Sequence, residues 1–283
     1  MFPRPIPANA RTHRLLYMAM VIMILLVWLA PLFAILMTSA RSTEDLVLGN
    51  FWGWPTKFSL FQNYVDVMTR TDMSRFFLNS LIITLPSVAV VLVLSLLSGF
   101  VLSRFNFPGN MIIFALFIAG NFLPAQIMMI PVRDLMVRLG IYNTYLALIL
   151  FHVALQTGFA TLFMRNFVAA LPNELFQAAR AEGASPFQIL IHVVLPLVRP
   201  GLAALAILLF TFIWNDYFWA LVLTVDSTVK PVTAGLASLK GEFRAEWNLI
   251  AAGTVIVALP PVAMFLLMQR HFILGLTQGA VKG

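Results

Sequence analysis

The sequence predicts an all-α membrane protein of six transmembrane helices with one structured, water-facing loop of two short helices. Three observations carry this. Apolar residues make up 61% of the chain and charged residues 10%, with a mean hydropathy of +0.92, whereas a soluble domain carries about 25% charged residues. Six stretches reach the ~20 apolar residues that cross a hydrocarbon core. Between Arg165 and Pro200 a charged segment punctuated by helix starts and stops interrupts them.

The first apolar stretch, Leu15–Met37, has no charge. It is too long for the core of a signal peptide, although Thr38-Ser39-Ala40 faintly resembles a cleavage site, and it reads as an uncleaved helix. Residues 1–14 form a tail before it, 15–37 the first span, and 38–75 a long connection. Residues 76–270 form a core that includes the loop 166–199, and 271–283 a second tail. The connection holds Trp52-Gly53-Trp54-Pro55 and Phe58 beside Glu44, Asp45 and Lys57. Aromatic residues favour the membrane interface, so short helices at an outer surface are expected, as an interfacial anchor or a docking surface. A second outer connection runs from Asp226 to Glu246 with both signs of charge.

In the core, Phe76–Ser103, Phe105–Val132 and Leu139–Met164 carry no charge, Pro200–Val225 carries only Asp216, and Trp247–Gln269 carries none. Pro86 predicts a kink in the second span. Asn121, Pro124 and Gln126 interrupt the third, His152 and Gln156 sit in the fourth, and Asn215 and Asp216 in the fifth. Polar groups at such depth face the bundle interior or a water-filled cavity. Asn121, Gln126, Gln156, Asn215 and Asp216 are therefore candidates for a hydrophilic path, with hydrogen bonding between helices as the alternative. Gly158, Gly201 and Gly253 are expected at close helix contacts.

The loop is read from its punctuation. Pro172 suits the first turn of a helix, where a missing N–H costs nothing. Ala178, Ala179 and Ala181 favour helix, and Gly183 can take the left-handed conformation that ends one. Ser185-Pro186 restarts a helix as an N-cap and a first-turn proline, with Pro196 and Pro200 expected to limit it. Two short helices thus meet at a glycine corner, and the small alanines leave a face open to a partner. An amphipathic surface loop with no partner is the alternative.

Gln177-Ala178-Ala179, three residues, Gly183, nine residues, then Val193-Val194-Leu195-Pro196 resembles the E-A-A, G, I-x-L-P loop of permease subunits of binding-protein-dependent ATP-binding-cassette importers. Spacing and order match; Gln177 replaces the glutamate and Val193 the isoleucine, and Glu174 and Glu182 lie close by. The tail Gly275-Leu276-Thr277-Gln278-Gly279-Ala280-Val281-Lys282-Gly283 is similar to that of sugar-importer permeases of the maltose-transporter, MalG-like type. Trp214-Asn215-Asp216 and Pro231-Val232-Thr233-Ala234-Gly235-Leu236 resemble that group too.

The resemblance implies a type I ABC importer permease fold and a cytoplasmic coupling loop in which Glu174, Gln177, Ala178, Ala179, Glu182, Gly183, Ala184, Leu195 and Pro196 contact an ATPase. It also implies a multi-pass protein of the bacterial inner membrane with both termini cytoplasmic. The partners it implies are two ATPase subunits, a second homologous permease and an external solute-binding protein. The cargo would be a mono-, di- or oligosaccharide, or a related polyol or glycerol phosphate. ATP and Mg would be bound by the ATPases and no cofactor by this chain.

The residues exclude several classes. No phosphate-binding G-x-x-x-x-G-K-[ST] loop and no H-E-x-x-H is present, so no catalytic or metal site is expected. With no cysteine, disulfides and thiolate metal sites are excluded. The net charge of +7 is scattered among apolar spans, without the basic stripe that nucleic acid requires. A secondary transporter concentrates coupling carboxylates at the midplane or shows internal repeats; one intramembrane carboxylate and no evident repeat weigh against that alternative. An importer of a non-sugar solute stays open. Lys and Arg outside the spans number nine on each side, so basic residues do not fix the orientation, although Arg11 and Arg14 closely precede the first span.

Overall fold

The computed structural model describes residues 11–239 and 246–280. They are helical, apart from short connections and one isolated bridge between Arg41 and Phe58. Residues 1–10, Lys240 and Arg244, and the end of the tail at 281–283, lie outside the described residues. The chain divides into two compact units, 1–71 with 239–256, and 72–238 with 257–283.

The first unit contains α1 (Arg11–Ala40), α2 (Thr43–Val47) and α3 (Leu60–Thr69), and takes in the start of α13 (Trp247–Ala280). The apolar window of α1 is unburied, as suits a helix whose solvent is lipid. The connection after it forms short helices, as expected, around a polar hub. Asn63 donates to the carbonyls of Ser39 (2.9 Å) and Arg41 (2.7 Å) and accepts from Asn248 (3.0 Å). Arg41, 2% exposed, donates to the carbonyls of Asn50 and Gly53. The Thr56 hydroxyl (2.6 Å) and amide (2.9 Å) bond to Asp45 and hold its carboxyl below the usual carboxylate range. These bonds organise a loop whose tip presents Trp52 and Trp54, both largely exposed.

The second unit is built on the pairing of α4 (Met73–Arg104) with α7 (Tyr145–Ala169), backed by α10 (Leu195–Trp214). At ~1.5 Å per residue, the 32 residues of α4 are long enough to cross a bilayer. Gly99 lets the two helices approach: a Cβ there would meet the Arg165 amide at 2.8 Å and Met164 Cβ at 2.9 Å. Ser98 and Thr161 share a 2.7 Å hydrogen bond across the same seam. Gly158 faces the Phe117 carbonyl and Gly201 the Phe167 ring, the close contacts expected of them. Val91, Ala160, Met164, Val168, Ala204, Leu205 and Trp214 form the core.

Five helices are long and apolar enough to cross a membrane, and a bent pair makes six if it counts as one span. That pair corrects the expected single third helix. α5 (Asn110–Ala119) continues in a 3₁₀ turn to Phe122, and α6 (Ala125–Arg138) leaves at 103°. Pro124 donates no amide and drives Leu123 out of the helical region, to ψ 123°. The fourth span is shifted to 145–169, with Thr144 as its N-cap. The fifth is displaced as well. It starts at Pro186, ends at Trp214 and is followed by a separate α11 (Phe218–Leu223). Asp216 sits in that break: its carboxylate accepts from the amides of Trp219 (3.4 Å) and Ala220 (3.2 Å), in the first turn of α11, as a capping side chain does. α12 (Val232–Ser238) lies in the second connection, and α13 runs on to Ala280 through Pro260 and Pro261.

Candidate coupling loop and polar path

The loop consists of α8 (Asn173–Ala181), the corner at Gly183, and α9 (Pro186–Ile189). Pro172 stands one residue before the helix. Gly183 has φ +80°, a conformation that side chains with a Cβ resist. Its amide donates to Arg180 O and that of Ala184 to Ala179 O, both at 3.0 Å. This is the paired bonding of a Schellman stop, and it explains the motif's spacing. The second alanine supplies the carbonyl that the residue after the glycine must reach. The chain then restarts through a reciprocal capping box, Gln188 N to Ser185 Oγ (3.3 Å) and Ser185 N to Gln188 Oε1 (2.7 Å).

Pro196 does not end the second helix, contrary to expectation. Residues Leu190–Val194 form a π turn, and the Leu195 amide reaches back to Leu190 O. A proline ring clashes with the carbonyl four residues earlier, and the widened turn accommodates it. Residues 186–214 are therefore one continuous helix, and the loop's second half is the start of a span.

Burial divides the loop. Phe176, Ile189, Leu190 and Val194 are buried against the unit. Glu174, Gln177, Ala178, Glu182, Gly183 and Pro196 are exposed, and Ala179, Ala184 and Leu195 are half-buried. Of the adjacent alanines, Ala178 is thus the more open to a partner.

Arg104, at the last turn of α4, was given no role by the sequence. It donates to Asn173 Oδ1 (2.5 Å), Val168 O (2.5 Å) and Leu171 O (2.7 Å), and lies 3.9 Å over the Phe176 ring. Beside it a cavity of about 350 Å³ is lined by Phe100, Phe105, Asn106, Arg180 and Pro186, among others.

Among the described residues, the five candidate path residues fall at different places. Asn121, bonded to its own helix at Phe117 O (2.8 Å), lines an apolar cavity of about 330 Å³ inside the α5–α6 bend, with Leu123, Leu150 and Gly158. Gln126 and Asn215 are exposed, and Gln156 is half-buried. Asp216 caps α11, and its Oδ2 lies 3.8 Å from Nε2 of the buried His152. Among the described residues no cluster of three metal-ligating side chains occurs.

Apolar spans interrupted by an exposed two-helix loop are the features of a transporter's membrane subunit. The chain belongs to the binding-protein-dependent transport system inner membrane component family, whose model matches residues 6–277. It is a multi-pass inner-membrane protein with the type I importer permease fold. The melibiose/raffinose/stachyose import permease MelC of Bacillus subtilis is 32% identical, over 89% of this chain and 91% of that protein. The arabinooligosaccharides transport system permease AraQ of Halalkalibacterium halodurans is 33% identical, over 89% and 91%. In fold the chain is similar to a bacterial ABC transporter chain involved in alginate import, with TM-score 0.83, 21% identity, and coverage of 95% of this chain and 100% of that one.

Proposed function

We propose that this chain is the transmembrane subunit of an ATP-driven importer of a carbohydrate. The observation that carries the proposal is the corner at Gly183. Its exposed face is open to another protein, and its second helix continues without a break into a span. Movement of a protein gripping Ala178 and Glu182 then moves the span. The sugar class rests on relatives that import oligosaccharides.

In this reading two ATPase subunits bind ATP and Mg and engage Glu174, Gln177, Ala178, Ala179, Glu182, Gly183 and Ala184. Leu195 and Pro196 carry the motion into α10. A second permease faces the polar residues of this one, because six spans alone offer little room for a sugar. A binding protein delivers cargo from outside, and the loop and both termini are cytoplasmic.

Native mass measurement of the extracted complex tests the assembly: one copy of this chain, one different permease and two ATPases are expected. A homodimer that drives sugar uptake in vesicles without an ATPase would overturn the reading. Orientation is tested separately in this cysteine-free chain. A cysteine at Lys57 should be labelled from outside and one at Ser185 should not; the reverse pattern would invert the topology.

A further inference from the structure

We propose that Arg104 is the positioning residue that locks the coupling loop to α4, so that motion of the loop reaches α4 as well as α7 and α10, the two spans that the peptide chain joins to it. The inference rests on the coupling reading above. α7, joined to α8 through residues 170–172, and α10 receive the loop's motion through the peptide chain itself. α4 has no such connection, since its last residue is 69 positions from Asn173. The Arg104 guanidinium bridges that gap. Its Nη2 holds the carbonyls of Val168, in the last turn of α7, and Leu171, in the turn before α8; its Nη1 holds Asn173, and its plane covers Phe176.

Val168 O at the end of α7 also accepts the Leu171 amide at 3.2 Å, so the guanidinium is its second donor, and a cation there meets the negative end of the helix dipole. Phe176 is the buried anchor of α8, at 4% exposure, so the guanidinium grips the loop at both its entry and its anchor. A planar fork that donates in two directions while stacking on a ring is chemistry that lysine does not reproduce. Arg165 repeats the arrangement within the unit, 4.2 Å over the Phe114 ring with Nε donating to Leu102 O at 3.3 Å. Its two contacts tie α7 to α4 and α5, so of these two arginines it is Arg104 that reaches the loop.

The test uses the complete complex in vesicles. Arg104→Ala should assemble but lose ~tenfold of substrate-stimulated ATP hydrolysis, the scale of one charge-assisted hydrogen bond. Basal hydrolysis should be retained, and Arg104→Lys should fall between. A role in stability alone would lower yield and Tm and leave the ratio of stimulated to basal hydrolysis unchanged. Spin labels at Val101→Cys and Ala181→Cys give a second readout independent of turnover. Their distance should stay narrow through the nucleotide cycle in the parent chain and broaden with Arg104→Ala. A parent complex without stimulated hydrolysis would overturn the coupling reading. A coupled parent whose Arg104→Ala variant keeps both the ratio and the narrow distance would overturn the strut.

Discussion

The chain changes direction sharply at Gly183 and again at Pro124, and the two turns are built in opposite ways. At Gly183 both helix ends are closed by bonds within the loop, the Schellman pair before the corner and the capping box after it. The faces left over present Glu174, Gln177, Ala178 and Glu182 to water. At Pro124 the turn follows from a missing donor and a forced extended residue. The helices around it present Met111, Ile112, Leu116, Phe122, Ile127 and Ile130, all more than 60% exposed. A self-closed corner with a polar outer face holds its shape before any partner arrives, and so can transmit force. An apolar bend takes its stability from whatever covers it, lipid or a second permease. The difference separates a corner closed by its own bonds from a bend that depends on what packs against it.

The comparison breaks most severely at the glycine. A Cβ on Gly183 would meet nothing within 4 Å, so the cost of substitution is conformational alone. A left-handed β-branched residue is strained, and Gly183→Val should assemble yet lose substrate-stimulated ATP hydrolysis almost completely. Gly183→Asn, whose side chain tolerates positive φ, should keep most of it. Equal loss in both would mean that contact rather than backbone conformation makes the glycine necessary.

Next comes the exposed face. Ala178→Trp adds bulk on the open side and should block docking, seen as loss of ATPase subunits from the purified complex with Tm of the membrane part unchanged. Ala179→Trp enters a half-buried site and should lower Tm as well. Retention of the ATPases by Ala178→Trp would move the docking surface elsewhere.

A smaller effect is expected at the bend. Pro124→Ala restores a donor and removes the constraint on Leu123. Labels at Ile112 and Ile127 should report a relaxed angle, while the ratio of stimulated to basal hydrolysis changes by less than ~twofold, about 0.4 kcal/mol, because the corner is closed without the bend. A larger change would make the bend part of the coupling device.

How far each region was legible in the sequence follows from how local its bonds are. The corner was readable because its closing bonds join residues no more than five apart, and Gly, Ser and Pro each have one favoured place in that geometry. The third span carried its break in plain letters, Asn121, Pro124 and Gln126, but the 103° turn depends on packing that no local pattern encodes. The fifth span was misplaced at both ends. Phe218–Val225 is apolar enough to pass for its continuation, and the bonds of Asp216 to the Trp219 and Ala220 amides leave no mark in the sequence. The prolines at 196 and 200 read as stops, because the π turn that absorbs Pro196 leaves no compositional mark. Arg104 was invisible as a strut: its hydrogen-bond partners lie 64 to 69 residues away, and nothing around it in the chain distinguishes it from any basic residue ending a span.

The smallest effect is expected at Gln177, one of the two places where the loop departs from its family's pattern. Gln177 stands where the motif has glutamate, and its side chain is exposed on α8, two residues before the carbonyl that closes the corner. Gln177→Glu therefore touches neither the Schellman bonds nor the buried Phe176. It adds a negative charge near Glu174 and Glu182, three and five positions away. The repulsion from Glu174 at i−3 costs a few tenths of a kcal/mol at most on a solvated helix surface. A cation on the docked ATPase would offset it by a similar amount, since exposed ion pairs contribute ~0–1 kcal/mol. Stimulated hydrolysis should thus stay within ~twofold of the parent. Its salt dependence should steepen slightly if the ATPase places a base there, because exposed pairs are screened. A tenfold change in either direction would mean that the glutamine is a specific contact in the socket.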